Sequence, residues 1–536
     1  MSQGLFTVSI YDTLGPDTTE YIINHATLSC VVTSLPHIPT LLKLAPRLPT
    51  LKMIICLDPL DNNDKPGNSK GELLNTIAKE LGITIHCLRD VEARGAKSSA
   101  PMKSPSPEDT ITINYTSGTT GNPKGVVLTH GNAVAAASIG RVVSDGSSND
   151  VVISYLPLAH IYERVTEQGA LACGSAIGYF RGDILGLVDD MKILKPTGFI
   201  SVPRLYNRFG AAIRAQALEA PGIKGALGRR AIATKLGSLQ LPEGQQTNKH
   251  FLYDRIFTPK LKAAFGLERA RSMVSGSAPL DPTLHQFLRA AFGNEFKQGY
   301  GLTETYAMGL VQESDDFSTG NCGGVSAATE VCLMSVPDMD YLATDKPNPR
   351  GELLMRSTSL FKGYYRNEEE TKKAMTEDGW FRTGDIAEVD SRGRFKIIDR
   401  VKNVLKLAQG EYVSPERLEN VYLANTGLLS QGFVHGDSHQ AFLVSVFGVD
   451  PVTFAPFASQ VLKKSIDPTD LAAVKAAAED ERVKKAVLAE LDRIGKLSKF
   501  NSYERVRKVH LEIEPFTIEN ELLTPTYVLL PPANSP

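Results

Sequence analysis

ITINYTSGTTGNPKGVVLTH, residues Ile111–His130, begins as an alternating apolar run and breaks off in hydroxyls and glycines around a lysine. Alternation of this kind marks a half-buried strand. A strand that ends in small residues leaves consecutive backbone N–H groups uncovered, and such groups form a concavity for anions. Ser117, Thr119 and Thr120 add hydroxyl donors, while Gly118, Gly121 and Gly125 permit a close approach by a ligand. Lys124 contributes a compact positive charge suited to phosphate oxygens. The pattern differs from a Walker loop, because Lys124 follows Asn122-Pro123 and precedes Gly125 instead of Ser or Thr. The plain alternative is a surface turn that contains a lysine.

Outward from this loop, short β-rich runs alternate with helical patterns through the first three quarters of the chain. VVISYLPL precedes a helical pattern over His160–Cys173, and GFISVP precedes RLYNRFGAAIRAQALEA. Such alternation predicts α/β layers with largely parallel strands. Arg94–Asp109, Gln240–Lys249 and Glu313–Gly324 read as surface loops from their Ser, Pro and Gly content. Asn367, with Glu370 three positions on, predicts a capped helix start. WFRTGDIAEVD and RFKIID predict a hairpin around Ser391–Gly393. Beyond Asp399 the character changes: Leu471, Val474, Ala478, Val483, Val487, Leu491 and Ile494 keep helical spacing in a charged segment, the signature of a core-facing stripe. A domain boundary is therefore expected there, giving domains 1–398 and 399–536.

With 536 residues, the chain is too long for one ordinary core. Its 42% hydrophobic and 22% charged content is that of a soluble globular protein, and a net charge of −2 gives no electrostatic case for nucleic acid. The six cysteines show neither a CxxC pair nor zinc spacing, which predicts free thiols in a reducing compartment. No apolar run is long enough to span a bilayer, and MSQGLFTVSIYDTLGPD has no secretory character. The closing Asn-Ser-Pro is not a Ser-Lys-Leu tail. The expected location is intracellular, cytoplasmic or peroxisomal, with peripheral membrane contact left open.

YTSGTTGNPKG (Tyr115–Gly125) resembles the phosphate loop of adenylate-forming enzymes, a superfamily that includes acyl-CoA synthetases and the adenylation domains of peptide synthetases. SGSAPL (Ser275–Leu280), GYGLTET (Gly299–Thr305), TGD (Thr383–Asp385) and DRVKN (Asp399–Asn403) resemble further motifs of that superfamily, in the same order. Asp378–Tyr422, together with YDTLGPDTTEYIINHA (Tyr11–Ala26) and YLPLAHIYER (Tyr155–Arg164), is similar to the long-chain fatty acyl-CoA synthetases. The resemblance implies a large adenylation domain followed by a small mobile α+β cap. It implies a reaction in which ATP and a medium- or long-chain fatty acid give an acyl-adenylate, which CoA then converts to acyl-CoA.

The resemblance also implies roles. Thr116, Ser117, Gly118, Thr119, Thr120, Gly121 and Lys124 would take the ATP phosphates. Ser277, Ala278, Gly299, Tyr300 and Gly301 would border adenine, and Asp385 with Arg400 the ribose. Thr303 would meet the α-phosphate and Glu304 would hold Mg²⁺. Asp399 would be the hinge, and Gly410 and Glu411 would line the path of CoA. His160 is read either as a catalytic residue at the carboxylate pocket or as a helix cap.

Two departures from the family pattern stand out. Val528 occupies the place, just after LTPT, where the family carries a catalytic lysine. Loss of such a donor is expected to cost adenylation about 10²–10³ in rate. Family members also carry a long segment ahead of YDTLGP, which implies a large domain short at its N-terminus. Two other functions therefore stay open on sequence grounds: a non-catalytic or half-active binder of acyl groups and nucleotides, and an adenylating enzyme that loads a carrier protein.

Overall fold

The computed structural model describes residues 3–11, 15–60, 69–116, 122–401, 405–408, 411–436, 440 and 442–516. By packing, the chain divides into two compact units. Met1–Gly131 with Phe361–Thr371 form one, and Asn132–Leu360 with Lys372–Phe516 form the other.

In the first unit, parallel strands Cys30–Thr33, Met53–Cys56 and Thr84–Cys87 lie side by side. Ile38, Leu41, Leu42, Leu48 and Ile54 close the core beneath them. A second sheet carries the opening motif. Its strand Thr110–Thr116 pairs in parallel with Thr7–Ser9 and antiparallel with Lys124–Thr129, whose other edge takes Gly363–Tyr364. Thr116 and Lys124 are register partners, so the phosphate-loop sequence is the connection of a hairpin. Gly125 is required in this hairpin: a Cβ there would come 2.9 Å from Ile113 Cγ2 and 3.1 Å from Tyr115 Cζ.

In the second unit, Gly198–Ser201, Ser272–Ser275 and Glu295–Tyr300 run parallel, and Leu310–Val311 and Gly324–Val325 extend the sheet antiparallel. Phe199, Tyr206, Phe209, Met273, Leu288 and Phe296 pack its face. A four-stranded antiparallel sheet follows, in the order Thr329–Met334, Arg350–Ser357, Phe381–Val389, Phe395–Arg400. The expected hairpin is therefore present, with Gly393 in the left-handed region at its turn. The α/β class holds, and the strand pairing is more mixed than the alternating pattern suggests.

The charged C-terminal stripe forms two helices, Leu471–Glu479 and Glu481–Leu497, with Asp480 capping the second by accepting from Arg482 N–H. Val474, Ala478, Val483, Val487, Leu491 and Ile494 are buried as expected, but Leu471, in the first turn, is 58% exposed. Together with Leu418, Tyr422, Phe447 and Phe454 the buried members of the stripe make a core whose buried residues, among those described, run from Leu407 to Leu511. The helix expected after Asn367 runs over Glu368–Ala374; Asn367 caps it by accepting from Glu370 N–H at 3.1 Å. The loop expected over Arg94–Asp109 begins later than the sequence suggests, because the helix Leu88–Ala96 takes its first residues.

Candidate active site

In open parallel sheets, ligands are held at the carboxyl ends of the strands, and the sequence-expected nucleotide residues of the second unit gather there. Ser272–Ser275 ends in the turn Gly276-Ser277-Ala278, and Glu295–Tyr300 ends in Gly301. A buried bond from Leu280 N–H to Gln298 Oε1, 2.9 Å, fastens the turn to the neighbouring strand. Ser277 has φ +75°, in the left-handed region that a non-glycine residue rarely adopts. Strain of this kind persists only where the surroundings impose it, and it concentrates at functional sites. Ser277 and Ala278 are exposed. Gly301 must be glycine, since a Cβ would meet the Ala307 carbonyl oxygen at 2.2 Å. The chain folds back there through the turn Thr303–Thr305, with Thr303 and Glu304 half-buried.

The antiparallel hairpin makes Asp385 and Arg400 register partners. Arg400 Nε lies 3.1 Å from Asp385 Oδ1, and the Tyr300 hydroxyl donates to Asp385 Oδ2 at 2.5 Å. Tyr300, expected at adenine, and Asp385 and Arg400, expected at ribose, thus form one cluster. Asp385 is 3% exposed, and burial raises its pKa against the opposing pull of Arg400. Burial, and then the charge of Asp385, likewise drive the Tyr300 phenol well up, so it acts as a donor throughout the neutral range. A carboxylate offers about four lone-pair directions. Tyr300 and Arg400 use two, which leaves acceptor capacity for a vicinal diol.

His160 is half-buried and caps the helix Ile161–Cys173, its Nδ1 accepting from Tyr162 N–H at 3.1 Å. Burial lowers its pKa to about 4, so the ring is neutral at physiological pH. The structure therefore places His160 in the capping role, which does not conflict with a role toward substrate. Sequence reasoning missed its neighbours. The Tyr162 ring lies against Gly276, where a Cβ would be 3.0 Å from Tyr162 Cζ. The Tyr162 hydroxyl, Glu163 Oε1, Glu167 Oε1 and Ser275 Oγ are all buried without a hydrogen-bond partner among the described residues. No spacing rule singles out these residues, since Glu163 reads as an ordinary helix carboxylate.

Burial lifts the Glu163 pKa from 4.5 to about 7, a shift opposed by hydrogen bonds from the Ser154 hydroxyl and Tyr155 N–H. Between those two values the native protein keeps a proton that the unfolded chain has released. Stability therefore falls as pH rises from 4.5 to 7 and levels off above. Glu163→Gln keeps the shape and cannot ionise. It is expected to raise stability at pH 8 by roughly 3 kcal/mol while changing little at pH 5, as read from thermal melts at the two pH values.

The remaining expected residues are placed as follows. Thr116 and Lys124 flank the hairpin connection of the first unit, the Thr116 hydroxyl reaching the Lys124 carbonyl at 3.4 Å. Lys124 ion-pairs with Glu370, and its Nζ lies 5.1 Å from the centre of the Tyr364 ring. Asp399 is buried; it accepts from the Tyr341 hydroxyl at 3.2 Å and from Arg400 N–H at 2.8 Å. Glu411 is exposed; its carbonyl accepts from Leu407 N–H, and its carboxylate contacts Tyr503. Ser117, Gly118, Thr119, Thr120, Gly121, Gly410 and Val528 lie outside the described residues.

The profile of the AMP-binding enzyme family matches residues 1–365. Acyl-CoA ligase 891, peroxisomal, of Penicillium brevicompactum is 58% identical over 99% of this chain and 75% of its own length. The chain belongs to the AMP-binding enzyme family. Its relatives in that family include long chain acyl-CoA synthetase 7, peroxisomal, of Arabidopsis thaliana, 40% identical over 98% of this chain and 72% of the relative. Human long-chain-fatty-acid–CoA ligase 6 is 38% identical over 97% and 72%. Among solved structures, the adenylation domain of a carboxylic acid reductase from Segniliparus rugosus, in complex with AMP and a co-purified carboxylic acid, superposes with a TM-score of 0.77. It is 24% identical over 99% of this chain and 76% of that one, a likeness of fold. This AMP-binding enzyme is thus a member of the long-chain acyl-CoA synthetase group. Among its described residues, no helix is long and apolar enough to cross a membrane.

Proposed function

We propose that the protein is an AMP-forming fatty acid–CoA ligase that activates a medium- or long-chain acid with ATP and passes the acyl group to CoA. The observation that carries this reading is the Tyr300–Asp385–Arg400 cluster at the carboxyl ends of the parallel strands, in a chain 58% identical to an acyl-CoA ligase. Asp385 would accept from the ribose hydroxyls, with Tyr300 and Arg400 holding its carboxylate in place. Ser277, Ala278, Gly299 and Gly301 would give adenine a wall with few side chains. Lys124 and Thr116, with the glycines and hydroxyls of the loop between them, would neutralise the phosphates during in-line transfer, a reaction that needs positioning and charge more than covalent help.

Among the described residues no group of three acidic, His or Cys side chains could hold a metal ion. Mg²⁺ is commonly held by one or two carboxylates and otherwise by substrate phosphates and water. Glu304, with its half-buried carboxylate, would be the protein's ligand, and the ion would supply charge neutralisation at the phosphates. Glu411 and Gly410 would border the path of CoA, and the core that runs from Leu407 to Leu511 supports a small C-terminal domain that turns about Asp399. The peroxisome is the proposed compartment, from the relatives named for it.

The test is formation of acyl-CoA, AMP and pyrophosphate by purified protein with C8 to C18 acids. Product with fatty acids and free CoA is expected. Acyl transfer to a phosphopantetheinyl carrier in preference to CoA, or nucleotide binding without pyrophosphate exchange, would contradict the reading. The same assay reads Val528→Lys, expected to raise the adenylation rate by about 10²–10³.

A further inference from the structure

Lys124 is held from two sides in the first unit. Its ammonium lies over the Tyr364 ring, 5.1 Å from the centre, and it ion-pairs with Glu370. The geometry that delivers Glu370 is built, not incidental. Gly363–Tyr364 pairs with the strand that carries Lys124, register Tyr364 to Val126, and Tyr365 N–H donates to the Gly125 carbonyl at 2.7 Å. The helix that follows is stitched to this strand: Tyr364 N–H donates to Thr371 Oγ1 at 2.9 Å, and Thr371 Oγ1 donates to the Asn367 carbonyl at 2.8 Å. Gly363 lies so close to Thr371 that a Cβ would be 3.0 Å from its Cγ2. One turn of helix thereby fixes Glu370 against the lysine of the phosphate loop.

We propose that Glu370 is a positioning residue that acts through Lys124, an internal carboxylate standing in for nucleotide phosphate until ATP displaces it and returning as pyrophosphate leaves. This rests on the reading that Lys124 binds phosphate. The two holds differ in kind. Tyr364 is neutral, and its ring attracts the ammonium without repelling an incoming anion. Glu370 carries the same sign as a triphosphate, so the carboxylate and the phosphates compete for a single cation. Lys124 and Glu370 side chains are 29% and 27% exposed, so the pair is partly screened and can be exchanged. The pair keeps the ammonium oriented before substrate arrives. It also weakens the hold on pyrophosphate afterwards, which favours release.

The experiment is steady-state kinetics of Glu370→Gln beside Lys124→Ala and the double variant, with direct ATP binding. Glu370→Gln is expected to lower the KM and Kd for ATP about two- to fivefold, the range of partly exposed ion pairs. The inhibition constant of pyrophosphate should fall by a similar factor. In the Lys124→Ala background the substitution should do nothing to either. A Glu370 that merely supports the fold would instead raise KM or lower the melting temperature, with no tightening of pyrophosphate. Glu370→Ala, which removes the carboxylate by truncation, must shift KM in the same direction and serves if the Gln variant does not fold. If Lys124→Ala weakens ATP while Glu370→Gln leaves KM unchanged or raised, the proposal for Glu370 is overturned alone. If Lys124→Ala leaves ATP binding untouched, the reading of Lys124 fails and takes the proposal with it.

Discussion

Asp385→Asn is expected to lower kcat/KM for ATP by about 30- to 1,000-fold, as roughly 2–4 kcal/mol of charge-assisted hydrogen bonding to the ribose is lost. The side chain keeps its size, but only one of its two ends can still accept. Tyr300 and Arg400 both donate to the carboxylate, so an amide NH₂ must face one of these donors whichever way it turns. The diol then competes for the single remaining oxygen. Folding should suffer less than binding, because burial already opposes ionisation at Asp385 and the amide carries no charge to desolvate. A melting temperature within a few degrees of wild type, with a large rise in the Kd for AMP, is the expected pair of results. Asp385→Ala should do both kinds of damage, since it leaves the Arg400 guanidinium without its nearest carboxylate.

Lys124→Ala is expected to slow ATP–pyrophosphate exchange by about 10²–10³, the usual cost of removing one preorganised donor where charge develops. The effect on stability should be small, about 0–1 kcal/mol, because the ion pair with Glu370 is partly exposed. Lys124→Arg should recover only part of the rate. A guanidinium is broader than an ammonium and prefers a planar fork, so it does not reproduce a point charge stationed over the Tyr364 ring. Single-turnover exchange on both variants checks this, and a rate equal to wild type in Lys124→Ala would remove the lysine from the phosphate site.

Much of this arrangement was legible in the sequence because its determinants are local. The hairpin at Ser391–Gly393 follows from two alternating runs and a glycine turn, but regular pairing outward from Val389 and Phe395 would set Asp385 opposite Asp399; the irregularity between Ile386 and Ala387 shifts the register and brings Arg400 there. The helix after Asn367 follows from its cap, and the C-terminal helices from a stripe at helical period. What was not legible depends on contacts between segments distant in sequence. A capping pattern makes Glu370 look like a helix-start carboxylate, whereas its partner lies 246 positions away on the strand Lys124–Thr129. Glu163 carries no mark of its buried state, since burial is set by packing around its helix and not by its neighbours in sequence. Leu471 fits the apolar stripe yet stays exposed, since burial in its helix begins only at Val474. The place of Tyr300 in GYGLTET points to adenine; only the fold brings its hydroxyl to Asp385.

The central claim, that Tyr300, Asp385 and Arg400 cradle the nucleoside of an acyl-adenylate, is most directly tested by calorimetric titration with a non-hydrolysable acyl-sulfamoyl adenosine. The account predicts tight binding at one site per chain in the wild type and a loss of at least tenfold in Asp385→Asn. Absence of binding by well-folded wild-type protein, or equal affinity in the two proteins, would contradict it.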